Sequence, residues 1–209
     1  MPLQLLTPPA AEPITLLEAK QHLRVDVDVD DDDALIGSLI AAARQAAETL
    51  TGRQLVTARW KLVLDAFPGA SSSGVPSGSS FRLPGHAILI AKCPVQSVVG
   101  IEFLDMNGVM QVMPAGDYVL DAACEPARIT PGFGKVWPPA LPQIGAVSVT
   151  FDAGYGSAEA VPEGIKAWIK LRVGSLYAHR EEVATLTRGS ISALPFVDGL
   201  LDGYRVCLV

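Results

Sequence analysis

Six aspartates fall within the ten residues RVDVDVDDDD, at Asp26, Asp28, Asp30, Asp31, Asp32 and Asp33, and such a run raises calcium first. An EF-hand loop opening at Asp26 requires glycine at its sixth position for the sharp turn and glutamate at its twelfth as the bidentate ligand. The sequence supplies Asp31 and Gly37 at those places. No metal site is therefore expected, and Asp26, Asp28 and Asp30 remain candidates only for an adventitious or interfacial cation. The plainer reading is a solvated acidic turn that sets carboxylates ahead of a helix, where the helix dipole favours them.

The remaining groups that could do chemistry are scattered. His22, His86 and His179 have no partner at motif spacing, and the serines of residues 71–80 lie in a low-complexity stretch without a nucleophile elbow. No HExxH, CxxC, P-loop or dinucleotide fingerprint occurs. Only the fold could bring Asp121, Glu125 and His86 together. Cys93, Cys124 and Cys207 are odd in number and widely spaced, which fits reduced core thiols better than zinc ligands or a disulfide framework. The expectation is a protein that is not an enzyme and uses no cofactor.

Composition narrows the partners. A net charge of -6 argues against a grip on nucleic acid, which requires clustered lysine and arginine. Hydrophobic residues make up 49% of the 209 and charged residues 18%, an apolar balance that buried subunit contacts would explain. No run is long enough to span a membrane, and the N-terminal stretch lacks a basic start, so a cytosolic, untargeted chain is expected.

The positioning elements are legible from spacing. Residues 31–52 place Leu35, Ile36, Leu39, Ile40, Ala43, Ala47 and Leu50 on a wide helical stripe, closed by Gly52. A shorter helix over about 15–24 opens on the capping box Thr15/Glu18. Residues 1–13, with four prolines, read as an extended arm with little structure of its own. Strand patterns follow at 56–64, 87–91, 95–104, 118–120, 127–130 and 146–151, and Asn107-Gly108 is a strong hairpin signal. Helical spacing returns from Pro162 to His179 with Ile165, Trp168, Ile169, Val173 and Leu176. A loop is expected over 181–195, and then an apolar end. The fold class is α+β: residues 14–55 and 160–209 form a small helical bundle with a C-terminal tail, and residues 56–159 form an inserted antiparallel β lobe.

PITLLEAKQHLRVD, DALIGSLIAAARQAAETLTGRQL, VTFDAGYG, VPEGIKAWIKLRVGSLYAHREE and LLDGYRV, in this order, resemble the tailed-phage head-tail connector (adaptor) family in a long form with a β insertion. The resemblance implies a structural protein of the virion, present in the host cytoplasm during assembly, that forms a ring of about a dozen copies under the portal. It further implies a tail-side completion protein as neighbour and DNA that passes through without specific binding. Leu35, Leu39, Ile40, Trp168 and Ile169 would form the helical core. Leu200, Leu201, Tyr204 and Arg205 would belong to a portal-docking tail, with packing of that tail on its own helices as the alternative. Two rival readings remain: a tail-completion or other phage structural protein, and a cation- or small-molecule-binding module using the acidic turn 26–33.

Overall fold

The capping box is in place at the start of the first helix. In the computed structural model, which describes residues 3–69, 86–179 and 199–206, the Thr15 hydroxyl accepts the Glu18 N–H at 3.1 Å and the Glu18 carboxylate accepts the Thr15 N–H at 2.8 Å. That backbone donor holds the Glu18 carboxyl below its ordinary pKa. Helix α1 (Leu16–Leu23) follows and ends at Arg24, which is left-handed at φ 58.

Helix α2 spans Asp33–Thr51 and stops at Gly52, also left-handed, as the spacing predicts. Its buried stripe is Ile36, Ile40, Ala43 and Ala47, with Leu39 packed at the margin and Leu35 half-buried. Helix α3 (Glu163–Ala178) buries Ile165, Trp168, Ile169 and Val173. A short helix α4 (Gly199–Asp202) adds Leu201, and the outgoing residues Leu55 and Val56 complete the same core. These residues belong to one of two compact units, Ala10–Val56 with Tyr155–Arg205. Among the described residues no helix is long and apolar enough to cross a membrane.

The chain leaves α2 through a buried loop. Thr51, Arg53, Gln54, Leu55 and Val56 are all buried, so their polar groups need internal partners. Glu48, itself 8% exposed, serves two of these residues, Gln54 and Leu55. One carboxylate oxygen accepts the Gln54 amide at 2.7 Å and the Leu55 N–H at 3.2 Å, while the other accepts Arg44 Nη1 at 2.8 Å. Arg44 in turn donates from Nε to Glu12 at 2.7 Å. Removing one partner of a buried ion pair strands the other. Glu48→Ala is therefore expected to cost about 3 kcal/mol or more, and Glu48→Gln less, both read from urea unfolding.

The second unit comprises Met1–Pro9, Thr57–Gly154 and Val206–Val209. Its larger sheet is antiparallel, with β1 (Leu3–Thr7), β2 (Ala58–Leu64), β8 (Val147–Ala153), β4 (Val95–Leu104) and β5 (Met110–Val112) in that spatial order. A smaller sheet sets β3 (Ile88–Ile90) beside β7 (Ala127–Pro131) and then β6 (Tyr118–Asp121). The β2–β8 register pairs Trp60 with Phe151, Leu62 with Val149 and Leu64 with Val147 on one face, and Arg59 with Asp152 and Lys61 with Thr150 on the other. The apolar row and residues of the smaller sheet, Ile88, Ile90, Ala127 and Ile129, form one core. Each predicted strand is present within a residue or two. Residues 3–7 differ: the arm is a strand paired to β2, bulged between Leu5 and Thr7, and Pro8-Pro9 end it. The loop over 181–195 and the Gly/Ser stretch from residue 70 lie outside the described residues.

The β4–β5 hairpin turns at Asn107-Gly108, with Gly108 at φ 78. Asp105 ties it, its carboxylate accepting the N–H of Asn107 at 2.8 Å and of Val109 at 3.0 Å, and the Gln111 amide at 3.0 Å. The Val109 N–H chiefly holds the Asp105 carboxyl below its ordinary value of 3.8. A depressed carboxylate stabilises above its unfolded pKa, and that contribution disappears as pH falls through the folded value. A carboxyl-resolved NMR titration should therefore place Asp105 below 3.8, with the hairpin amides losing protection as it protonates.

Candidate functional site

The acidic turn already holds a cation, and the chain supplies it. Lys20, 4% exposed, donates from Nζ to the carbonyls of Val29 at 2.8 Å and Val27 at 3.2 Å, and pairs with the Asp33 carboxylate at 2.5 Å. The turn is wrapped around an ammonium group, with carbonyl and carboxylate oxygens where a metal's ligands would stand. Asp26, Asp28 and Asp30 are exposed, and no group of three His, Cys, Asp or Glu converges among the described residues. Asp32 accepts the Tyr177 hydroxyl of α3, and no side-chain capping bond forms from it to its own helix.

Asp121, Glu125 and His86 form no metal-binding group of three among the described residues. Asp121 is engaged by Arg128, whose Nε donates to it at 2.8 Å, and that contact holds its carboxyl below the ordinary range. The Cys124 thiol is pushed up by its hydrogen bond to Asp121, which makes it a poor nucleophile. The His86 carbonyl accepts the Trp137 indole N–H at 2.6 Å, and its side chain is exposed. Cys93 is buried, its thiol donating to the Ile90 carbonyl at 3.8 Å; Cys207 lies outside the described residues.

The C-terminal residues pack within their own unit. Leu201 is 0% exposed in the helical core, and Leu200 and Tyr204 pack against that core. The Tyr204 ring fills the space above Gly164, where an added Cβ would lie 3.2 Å from it. Arg205 is exposed and pairs with Asp202 at 3.4 Å. One buried guanidinium gathers this region: Arg53 donates from Nε to the Tyr204 carbonyl and lies 6.0 Å over the Tyr155 ring. The Tyr155 N–H bonds the Leu55 carbonyl at 2.9 Å. Arg53, Tyr155 and Tyr204, each from a stretch that carries the family resemblance, therefore meet. Ile40, Trp168 and Ile169 are buried in the same core, which Leu39 borders.

Sequence reasoning overlooked Arg53, Lys20 and Glu48. A buried lysine on the apolar side of α1 was the available signal for Lys20. Arg53 had none, since its partner Tyr204 is 151 residues away. Phe133, Val136 and Ile144, which stand exposed on the β unit, were also unread.

The whole chain superposes on a chain from the neck of an empty GTA particle computed with C6 symmetry, with a TM-score of 0.76 and 24% identity, covering 100% of this chain and 97% of that one. A chain from the virion of a native gene transfer agent particle gives 0.75 at 25% identity, and one from a native GTA neck computed with C12 symmetry gives 0.70 at 25%, with the same coverage. The family model described as phage gp6-like head-tail connector protein matches residues 13–79. No curated protein sequence gives a significant match. The resemblance read from the sequence thus holds, in the family match of the N-terminal helices and in the fold of the entire chain, and it is that of a phage structural connector.

Since Lys20 fills the acidic turn, added calcium is expected to leave the melting temperature unchanged, because a ligand without a site gives no linkage. Lys20→Met, which strips Asp33 and two carbonyls of their donor, should cost about 1–3 kcal/mol in urea unfolding.

Proposed function

We propose that this chain is a head-tail connector: about a dozen copies form a ring beneath the portal of a filled head and continue the DNA channel toward the tail. The single observation that carries this reading is the match over the full chain, β unit included, to chains of GTA necks and virions, one of them computed with C12 symmetry. On this reading the protein is a non-enzymatic part of the virion, assembled in the host cytoplasm. The portal lies on its head side and a completion protein on its tail side. A net charge of -6 suits a DNA channel, since phosphates find few cations to hold them and the duplex slides. In the helical unit Arg205 is the exposed member of the expected docking group, so portal contact falls to it and to the outer faces of Leu200 and Tyr204. Leu201 serves its own core.

Deleting the gene from the particle-producing genome tests the reading. DNA-filled heads without tails, with tails restored by the wild-type gene, are expected in electron micrographs of purified particles. Tailed, infectious particles from the deletion strain would refute it.

A further inference from the structure

Two neighbouring segments of the β unit hold large apolar side chains out to solvent. One is the β4–β5 hairpin, with Met106, Val109, Met110 and Val112 exposed. The other is PGFGK, residues 131–135, a β-turn closed by the Lys135 N–H on the Gly132 carbonyl at 2.9 Å, with Gly134 at φ 71. That geometry lifts Phe133 to the apex, where it is fully exposed. The turn is braced from below: the Gly132 N–H bonds the Asp117 carbonyl at 2.9 Å, and Lys135 pairs with the Asp117 carboxylate at 3.0 Å. A groove lined by Phe103, Val112, Met113, Pro114, Lys135 and Val136 joins turn and hairpin into one surface.

The hairpin also ends its sheet at a short edge that no described strand pairs. The Met113 N–H bonds the Ile101 carbonyl at 2.8 Å, so by alternation the backbone groups of Met110 and Val112 face away from β4. Strand β5 is last in its sheet, and MQV carries no charge, no proline and no bulge. An aromatic anchor beside an open strand edge is the composition of a contact surface.

Charge selects the occupant. Copies of a chain with net charge -6 repel one another, so they must meet where charge is already neutralised. Here it is: Asp117 is paired with Lys135, and the side chains that stand out to solvent, Met106, Val109, Met110, Val112 and Phe133, carry no charge. A cationic partner would find its complement instead at the exposed Asp26, Asp28, Asp30 and Asp31 of the helical unit. We propose that Phe133, Val136 and the β5 edge are the face by which one copy of this chain grips the next, an assignment that rests on the ring reading above.

The test places a photo-cross-linking benzoylphenylalanine at position 133 of the full chain, in purified particles, with position 172 on the exposed side of α3 as control. Cross-linked pairs of this chain at 133, identified by mass spectrometry and scarce at 172, are expected. Cross-links from 133 to another virion protein, or within one chain to residues such as 70–85, would overturn the assignment. In parallel, Phe133→Ser should keep the wild-type melting temperature, because the side chain is exposed, yet lower tail attachment at least about tenfold when it replaces the deleted gene. Full rescue by Phe133→Ser, where the deletion alone gives tailless heads, would sink this surface and leave the connector standing. Tailed particles from the deletion strain would instead remove the connector reading itself.

Discussion

The Glu48 carboxylate carries a constraint that the helical unit depends on. A segment between a helix and a strand ordinarily runs over the surface, where water satisfies its backbone. Residues 51–56 run through the interior instead, and one carboxylate receives Arg44, Gln54 and the Leu55 N–H there. The neighbouring Arg53 then reaches outward in sequence, to the Tyr204 carbonyl and the Tyr155 ring. Apolar side chains would have given the same burial without direction. A fully bonded polar network fixes which segments meet and at what angle, because each partially satisfied alternative leaves a buried charge alone.

The same logic accounts for the carboxylates at the start of α2. From sequence they read as helix-dipole partners, and Asp33 does sit on the first turn. Their partners lie elsewhere: Asp33 forms an ion pair with Lys20 of α1, and Asp32 accepts the Tyr177 hydroxyl of α3. Glu18 likewise closes its own capping box and also reaches Lys170 of α3 at 3.3 Å. Local helix signals are thus reused as ties between helices, and an acidic run that resembles a metal loop is the outer shell of a buried lysine.

What was legible in the sequence followed from short-range physics. Periodicity, the Thr15/Glu18 box, Gly52 and Asn107-Gly108 depend on residues a few places apart, and each helix and strand they predict is present. Strand β1 was missed because its evidence lies in pairing to β2, more than fifty residues on, and because adjacent Leu5 and Leu6 at a bulge break the alternation. The Arg53 clasp was invisible for the same reason. For Leu201 the sequence left two outcomes open, docking and internal packing, and its full burial in the helical core accounts for its apolar character without a partner.

The distribution of exposed apolar side chains adds a last step. Of the fifteen large ones among the described residues, eleven lie in the β unit and four, Leu17, Val27, Val29 and Leu50, in the helical unit. The helical unit also carries the exposed aspartates of the acidic turn. The exposed carboxylates of the acidic turn and most of the exposed large apolar side chains therefore lie in different units. Six of the eleven in the β unit lie on the β4–β5 hairpin and at residues 133–136 beside it. An insertion built only to fill space would be expected to hide such side chains or charge its edge strand. That this one does neither is what the proposed contact between copies would account for.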